Sequence, residues 1–310
     1  MSGSIRASAT PSDAPRGFLA RLWARPRARV GGALLLLLVL GALAADLAEA
    51  VWGGGPETVD LLARLEPPGL AHPLGTDELG RDVLVMLLHA ARTSLAVGLG
   101  GALLASALGT LVGLLAGWYG GRIDAFLMRL TDTVLALPLL PVLVVLAAVD
   151  LGRLGFEGTG PLASALRIVV IVALFGWPAT ARIARAATLT LARREFVLAA
   201  RALGASDGRV LRCHLLPNLA GPVTVATTLA VGQVVLAESV LSFLGLGIQP
   251  PLASWGTMLT RAQELVFEAP QQALWPGLAI FAAVLGANLL GDALEETLDP
   301  RRRTGTPPTR

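Results

Sequence analysis

Six apolar stretches alternate with polar segments along the chain: residues 30–45, 94–118, 133–149, 162–181, 220–237 and 274–290. A hydrocarbon core about 30 Å thick needs roughly 20 apolar residues per crossing helix. Each stretch therefore predicts a transmembrane helix, and the fold class is an all-α membrane protein. The first run is short, but Arg29 can snorkel and the helix can extend toward Ala50. A cleaved signal peptide competes for it, because Ala42-Leu43-Ala44 looks like a cleavage site; the later spans favour a retained helix. Pro138 and Pro141 predict a kink in the third span. The fourth is short, with Arg167 inside its outer end, and is expected to close at Trp177-Pro178.

Two patterns refine these elements. Gly101, Ala105, Gly109, Gly113 and Gly117 recur every fourth residue, a stripe of small side chains that lets a second helix approach closely. Before that span, residues 72–82 read HPLGTDELGRD. Pro73 and Gly75 make a turn, Thr76 or Asp77 caps a helix, and Val83, Leu87 and Ala90 or Ala91 give it an apolar face. This amphipathic helix belongs to an extracytoplasmic loop, 51–92. His72 stands beside acids, but no second ligand lies at metal spacing, so a structural turn is expected and no metal site.

The longest polar interruption inside the core runs from Arg182 to Asn218. Phe196, Ala199, Ala200 and Leu203 recur at i, i+3, i+4 and i+7, one face of a helix that begins at Glu195. Gly204 follows where a helix C′ residue needs positive φ. Ser206 or Asp207 caps a second short helix carrying Val210, Leu211 and Leu215, which Pro217 is expected to end. An amphipathic helix between spans either lies on the bilayer or fills a groove in a partner.

Composition agrees with a multi-spanning protein: 54% of the 310 residues are apolar and 15% charged. All 25 basic residues are Arg. They are scattered over separate loops rather than gathered in one patch, which argues against nucleic acid as a partner. Nineteen fall in the N-terminal tail, the second-to-third connection, the central loop and the C-terminal tail, and six in the other segments. The positive-inside bias then places both termini and the central loop in the cytoplasm. The tail, 1–29, interleaves Arg with Phe18, Leu19, Leu22 and Trp23, a composition suited to an anionic lipid surface. Cys213 is alone, so no disulfide framework is expected. No G-x4-GK[ST] loop occurs, so this chain is not expected to hydrolyse ATP by that chemistry.

Ala200, Gly204, Leu216 and Pro217 fall at the spacing EAA-x3-G-x9-I-x-LP. In this they resemble the loop signature of ABC-importer permeases. Leu198 stands in place of its Glu and His214 in place of its Ile. Residues 72–82, SFLGLG followed by QPP and SWG in 242–256, and the GD…LDPR close further resemble the second permease subunit of the dipeptide, oligopeptide and nickel family. The resemblance runs from about His72 to Arg303. It implies a type I importer permease core over 93–292, a coupling loop over 182–218 and a cytoplasmic tail over 293–310. The coupling residues would be Glu195, Phe196, Ala199, Ala200, Leu203, Gly204, Leu216 and Pro217. The implied partners are a second homologous permease, two ATP-binding subunits carrying the ATP and Mg, and an extracytoplasmic solute-binding protein. No cofactor is implied on this chain and no catalytic residue.

Glu238 is the clear intramembrane acid and Asn288 a polar residue of the last span. Both are expected at the translocation path or the permease–permease interface. An ion-coupled secondary transporter would show paired intramembrane charges and repeated broken helices. A membrane enzyme would need a nucleophile–base or metal cluster among facing spans. Neither pattern is present, and importer of peptides is the favoured expectation, with nickel chelates or other small solutes behind it.

Overall fold

The computed structural model describes residues 17–148, apart from 54 and 56, and 160–298. The Arg-rich start of the tail, the end of the third apolar run at Val149 and the LDPR close after Leu298 lie outside these residues. Every regular element described is helical. A short helix α1 (Phe18–Trp23) leads into α2 (Pro26–Leu43), which opens with Pro in its first turn, where the missing N–H costs nothing. Helix α3 (Ala45–Trp52) follows after a break at Ala44.

Helix α4 (Val83–Tyr119) is 37 residues long and unbroken. It absorbs both the amphipathic helix expected before residue 92 and the second span. The expected cap also shifts. Asp82, not Thr76 or Asp77, occupies the N-cap and accepts the Val85 N–H at 3.0 Å. Asp77 instead closes its own turn, accepting the N–H groups of Leu79 and Arg81 at 2.9 Å each and pairing with the Arg81 guanidinium. His72 Nδ1 lies 3.0 Å from the second Asp82 oxygen, so this histidine holds the turn, as expected.

The third apolar run is broken rather than kinked. Helix α5 (Gly121–Ala136) and helix α6 (Leu139–Ala148) meet at 85° around Leu137 and Pro138. Pro138 has no N–H to continue the ladder and disfavours α conformation in the residue before it. Two contacts with α7 (Pro161–Leu191) show how far the pair travels. Asp124 of α5 pairs with Arg185, and the Ala147 carbonyl of α6 accepts from Arg167. Arg167 and Arg185 are eighteen residues apart on α7, about 27 Å at 1.5 Å per residue. The two ends of the bent pair thus meet α7 at points separated by nearly the thickness of a hydrocarbon core. Counting it as one crossing gives six candidate spans, with α2, α4, α7, α10 (Leu216–Phe243) and α12 (Gln271–Leu298).

Three boundaries depart from the sequence expectation. Helix α7 passes through Pro178 and continues to Leu191, so the first ten residues of the central polar interruption are helical. Helices α10 and α12 likewise outrun their apolar stretches. At the end of α7, Arg182 and Arg185 find acids on α5, so that helix continues where apolarity stops.

The small-residue stripe seats α4 against α7. A Cβ on Gly109 would stand 2.4 Å from the Trp177 carbonyl oxygen, and one on Gly113 2.3 Å from that of Ala181. Gly117 abuts Thr188, and Ala105 faces Gly176. Gly101 turns instead toward Val234 of α10. A second close crossing, at Gly31 of α2 and Gly286 of α12, carries no regular stripe; a Cβ on Gly31 would lie 2.7 Å from the Gly286 carbonyl. One core gathers Leu143, Ile168, Val234 and Leu241 between α6, α7 and α10. Another surrounds Trp255, the first residue of α11 (Trp255–Glu264), with Val235, Ile280 and Ala283.

Candidate coupling hairpin and buried acid

Between α7 and α10 lie α8 (Glu195–Ala202) and α9 (Asp207–Val210), followed by a π-helical turn, Leu211–Leu215. Helix α8 ends in a double hydrogen bond. The Gly204 N–H donates to the Arg201 carbonyl and the Ala205 N–H to the Ala200 carbonyl, both at 3.0 Å. This is the Schellman arrangement, and Gly204 supplies its left-handed φ of +83°. Ser206 occupies the α9 N-cap without a side-chain capping bond. Pro217 does not end the second helix as expected. It sits in the first turn of α10, and the π turn runs into it without a break.

The hairpin is fixed from below by Val197, which is fully buried with Val210, Leu215, Leu219 and Leu114 of α4. Burying a Val side chain is worth about 1.5–3 kcal/mol. Val197 was not among the sequence-predicted site residues. The only signal was its place on the opposite face from Phe196, Ala199 and Leu203, where the partly buried Ala205 and the buried Val210 also pack. Arg201 adds a lateral contact, its guanidinium 5.4 Å from the Trp118 ring centre.

With Val197 turned inward, the expected coupling residues turn outward. Phe196 is 43% and Leu203 89% exposed; Glu195, Ala199 and Gly204 are exposed, and Ala200 is half-buried. Leu216 and Pro217 are exposed at the base of α10. Leu198, which replaces the acid of the general signature, is exposed as well. His214, which replaces its Ile, lies beside Phe196 with ring centres 6.2 Å apart. The hairpin therefore offers an apolar ridge on a rigid base, and nothing among the described residues covers it.

Glu238 is enclosed within the chain, its side chain 0% exposed. Helix α10 does not stop short and release it to interfacial water, since the helix runs on to Phe243. Hydroxyls of its own chain enclose it. Ser242 donates at 2.6 Å to one oxygen and Ser94 of α4 at 3.1 Å to the other. Ser94 in turn accepts the Trp255 N–H at 3.2 Å and Ser242 the Ile248 N–H at 3.1 Å. One carboxylate thereby ties α4, α10 and the 245–254 connection into a unit. The serines that satisfy it were not visible in advance, because Ser94 is 144 residues away. Asn288 is exposed on α12, free to face something outside the chain.

A cluster missed by sequence reasoning lies at the α3–α4 junction. Ligand atoms of Asp46, Glu49 and His89 fall within 4.8 Å of one another. Asp46 is already held by both ends of the Arg92 guanidinium, and Glu49 Oε2 lies 2.9 Å from His89 Nε2. The group clasps α3 onto α4 with the protein's own donors.

Residues 109–304 match the family described as binding-protein-dependent transport system inner membrane component. The chain is 40% identical over 281 residues to a putative peptide transport system permease protein of Brucella suis, covering 91% of this chain and 90% of that one. It is 37% identical to the nickel transport system permease protein of Escherichia coli K12, covering 86% and 93%. It is 36% identical to a dipeptide transport system permease protein of Alkalihalophilus pseudofirmus, covering 78% and 76%. A chain whose described elements are helical, with five or six candidate spans and matches of this length, belongs to the binding-protein-dependent ABC-importer permeases, as a non-catalytic, multi-pass component of the inner membrane.

Proposed function

We propose that this chain is one of two permeases of an ATP-driven importer for dipeptides and oligopeptides. Both termini and the α8–α9 hairpin lie in the cytoplasm, where the hairpin docks on an ATP-hydrolysing subunit. The observation that carries this is the Phe196, Ala199 and Leu203 ridge, exposed on a base locked by Val197 and Gly204. A helix held this way transmits a push instead of yielding to it. The Arg distribution supports the orientation, and counting the bent α5–α6 pair as one crossing makes the number even, with the two ends of the chain on one side. Closure of the ATPase pair would move the hairpins and rock one permease against the other, opening the path between them to the outside. An extracytoplasmic binding protein delivers the solute there.

Peptides are favoured because relatives of closely similar length carry peptide and dipeptide transport in their names. The nickel relative keeps metal chelates as the alternative. The test is uptake by proteoliposomes holding both permeases, the ATPases and the cognate binding protein. Import of a labelled dipeptide driven by ATP supports the assignment. Import of chelated nickel with no peptide uptake transfers it to the alternative.

A further inference from the structure

A cavity lined by charged side chains lies at the end where α4 begins, away from the hairpin. About 230 Å³ is bounded by Glu57, the 77–81 turn, Val83 and Met86 of α4, the Pro250–Ala253 connection and one face of α11. Met86, Val83 and Leu265 supply apolar wall, while Glu57, Glu78 and Arg261 bring both signs of charge to it. The Asp77 carboxylate at its rim is already neutralised by Arg81. Arg261 differs: its Nη1 is shielded from solvent and has no hydrogen-bond partner among the described residues. A shielded guanidinium nitrogen without an acceptor is costly and is satisfied by water or by a solute that enters the cavity. A carboxylate suits it, because the planar guanidinium matches that group in geometry and charge. Burial also pushes the Glu78 carboxyl up, with Asp77 adding to the shift, so Glu78 gains from a cation placed beside it.

We infer that this cavity is an extracytoplasmic reception site for a small zwitterion, with the α-carboxylate of a free amino acid or short peptide on Arg261 and its α-ammonium on Glu57 and Glu78. The assignment of the side rests on the proposed orientation, and the choice of a peptide rests on the proposed function. The apolar wall beside the two charged ends leaves room for side chains of different size. The lining described comes from this chain, and the site would hold solute before entry.

The test uses the complete transporter, both permeases with their ATPases, in lipid nanodiscs and without the binding protein. Equilibrium binding of labelled dialanine is measured against unlabelled dialanine and against N-acetyl-dialanine amide, which lacks both charges. The expected result is saturable binding that the blocked peptide fails to displace. Arg261→Gln weakens it about 10–100-fold, the loss of a charged hydrogen-bond pair, while Arg261→Lys restores part of the affinity. No saturable binding, equal competition by the blocked peptide, or native affinity in Arg261→Gln overturns the proposal. Peptide uptake by the full system separates the two ideas. Uptake without binding at this cavity removes the site and leaves the transport assignment standing. Arg261-dependent binding without uptake does the reverse.

Discussion

Ser94 on α4 donates its hydroxyl to the Glu238 carboxylate on α10 at 3.1 Å. The same oxygen accepts the Trp255 N–H, so one hydroxyl joins two spans to the start of α11. An acid inside a bilayer usually marks a transport path. Here its bonds are consumed within the chain, and it acts as a fastener.

Glu238→Leu should therefore lower the thermal stability and membrane abundance of the protein. It leaves the Ser94 and Ser242 hydroxyls without their acceptor, at about 1–3 kcal/mol for each orphaned group. Glu238→Gln keeps the shape and one acceptor oxygen, and should cost less. Melting of the solubilised transporter checks the order. Equal melting of all three proteins would remove the fastening role.

The glycine contacts make a graded prediction. Gly113→Ala drives a methyl to 2.3 Å from a carbonyl oxygen of α7, so the helices must separate and abundance should fall. Gly100→Ala, whose Cβ would meet only the Val169 side chain at 3.6 Å, should be tolerated. Quantitative membrane blots of the two variants decide it.

Glu78 gives a pH dependence. Burial raises its pKa in the folded chain, so between the unfolded and folded values the native state binds more protons. Stability then falls as pH rises through the folded value, and the penalty is fully present above it. Glu78→Gln should melt higher than the native protein at neutral pH, with the gap closing as pH drops below the ordinary carboxylate range. A gap that does not depend on pH would contradict the assignment.

The orientation is tested by the chain's own thiol. Cys213 is exposed in the π turn. It should react with a membrane-impermeant maleimide only after cells are permeabilised. Leu70→Cys in a Cys213→Ser background, at a fully exposed loop position, should react in intact cells. Reaction of Cys213 from outside would invert the topology.

The sequence made the spans, the glycine stripe and the α8 cap legible because each rests on local periodicity. Gly204 could be placed from its position after Leu203 alone. Boundaries were legible only in part. Apolarity ends near Ala181, but α7 continues because Arg182 and Arg185 meet Asp132 and Asp124 from α5. Such pairs, 50 and 61 residues apart, leave no local mark. The same holds for the site. The outward ridge of α8 follows from spacing, whereas the Val197 anchor needs Val210 and Leu215 brought under it by a turn whose π geometry no pattern announces. Glu238 was visible as an acid in an apolar helix, but its serines come from elsewhere in the fold.

The central claim is that the α8 hairpin couples this permease to an ATPase, and coupling is measured as solute imported per ATP hydrolysed in reconstituted proteoliposomes. Gly204→Val is the most direct probe. Space around Gly204 is open, so the substitution tests only the backbone, placing a β-branched residue at φ +83°. Phe196→Asp tests the ridge itself. Both variants should insert at native abundance, yet bind the ATPase more weakly or hydrolyse ATP without import, while Gly204→Asn, which tolerates the left-handed region, stays near native. Native import per ATP in both Phe196→Asp and Gly204→Val would contradict the account.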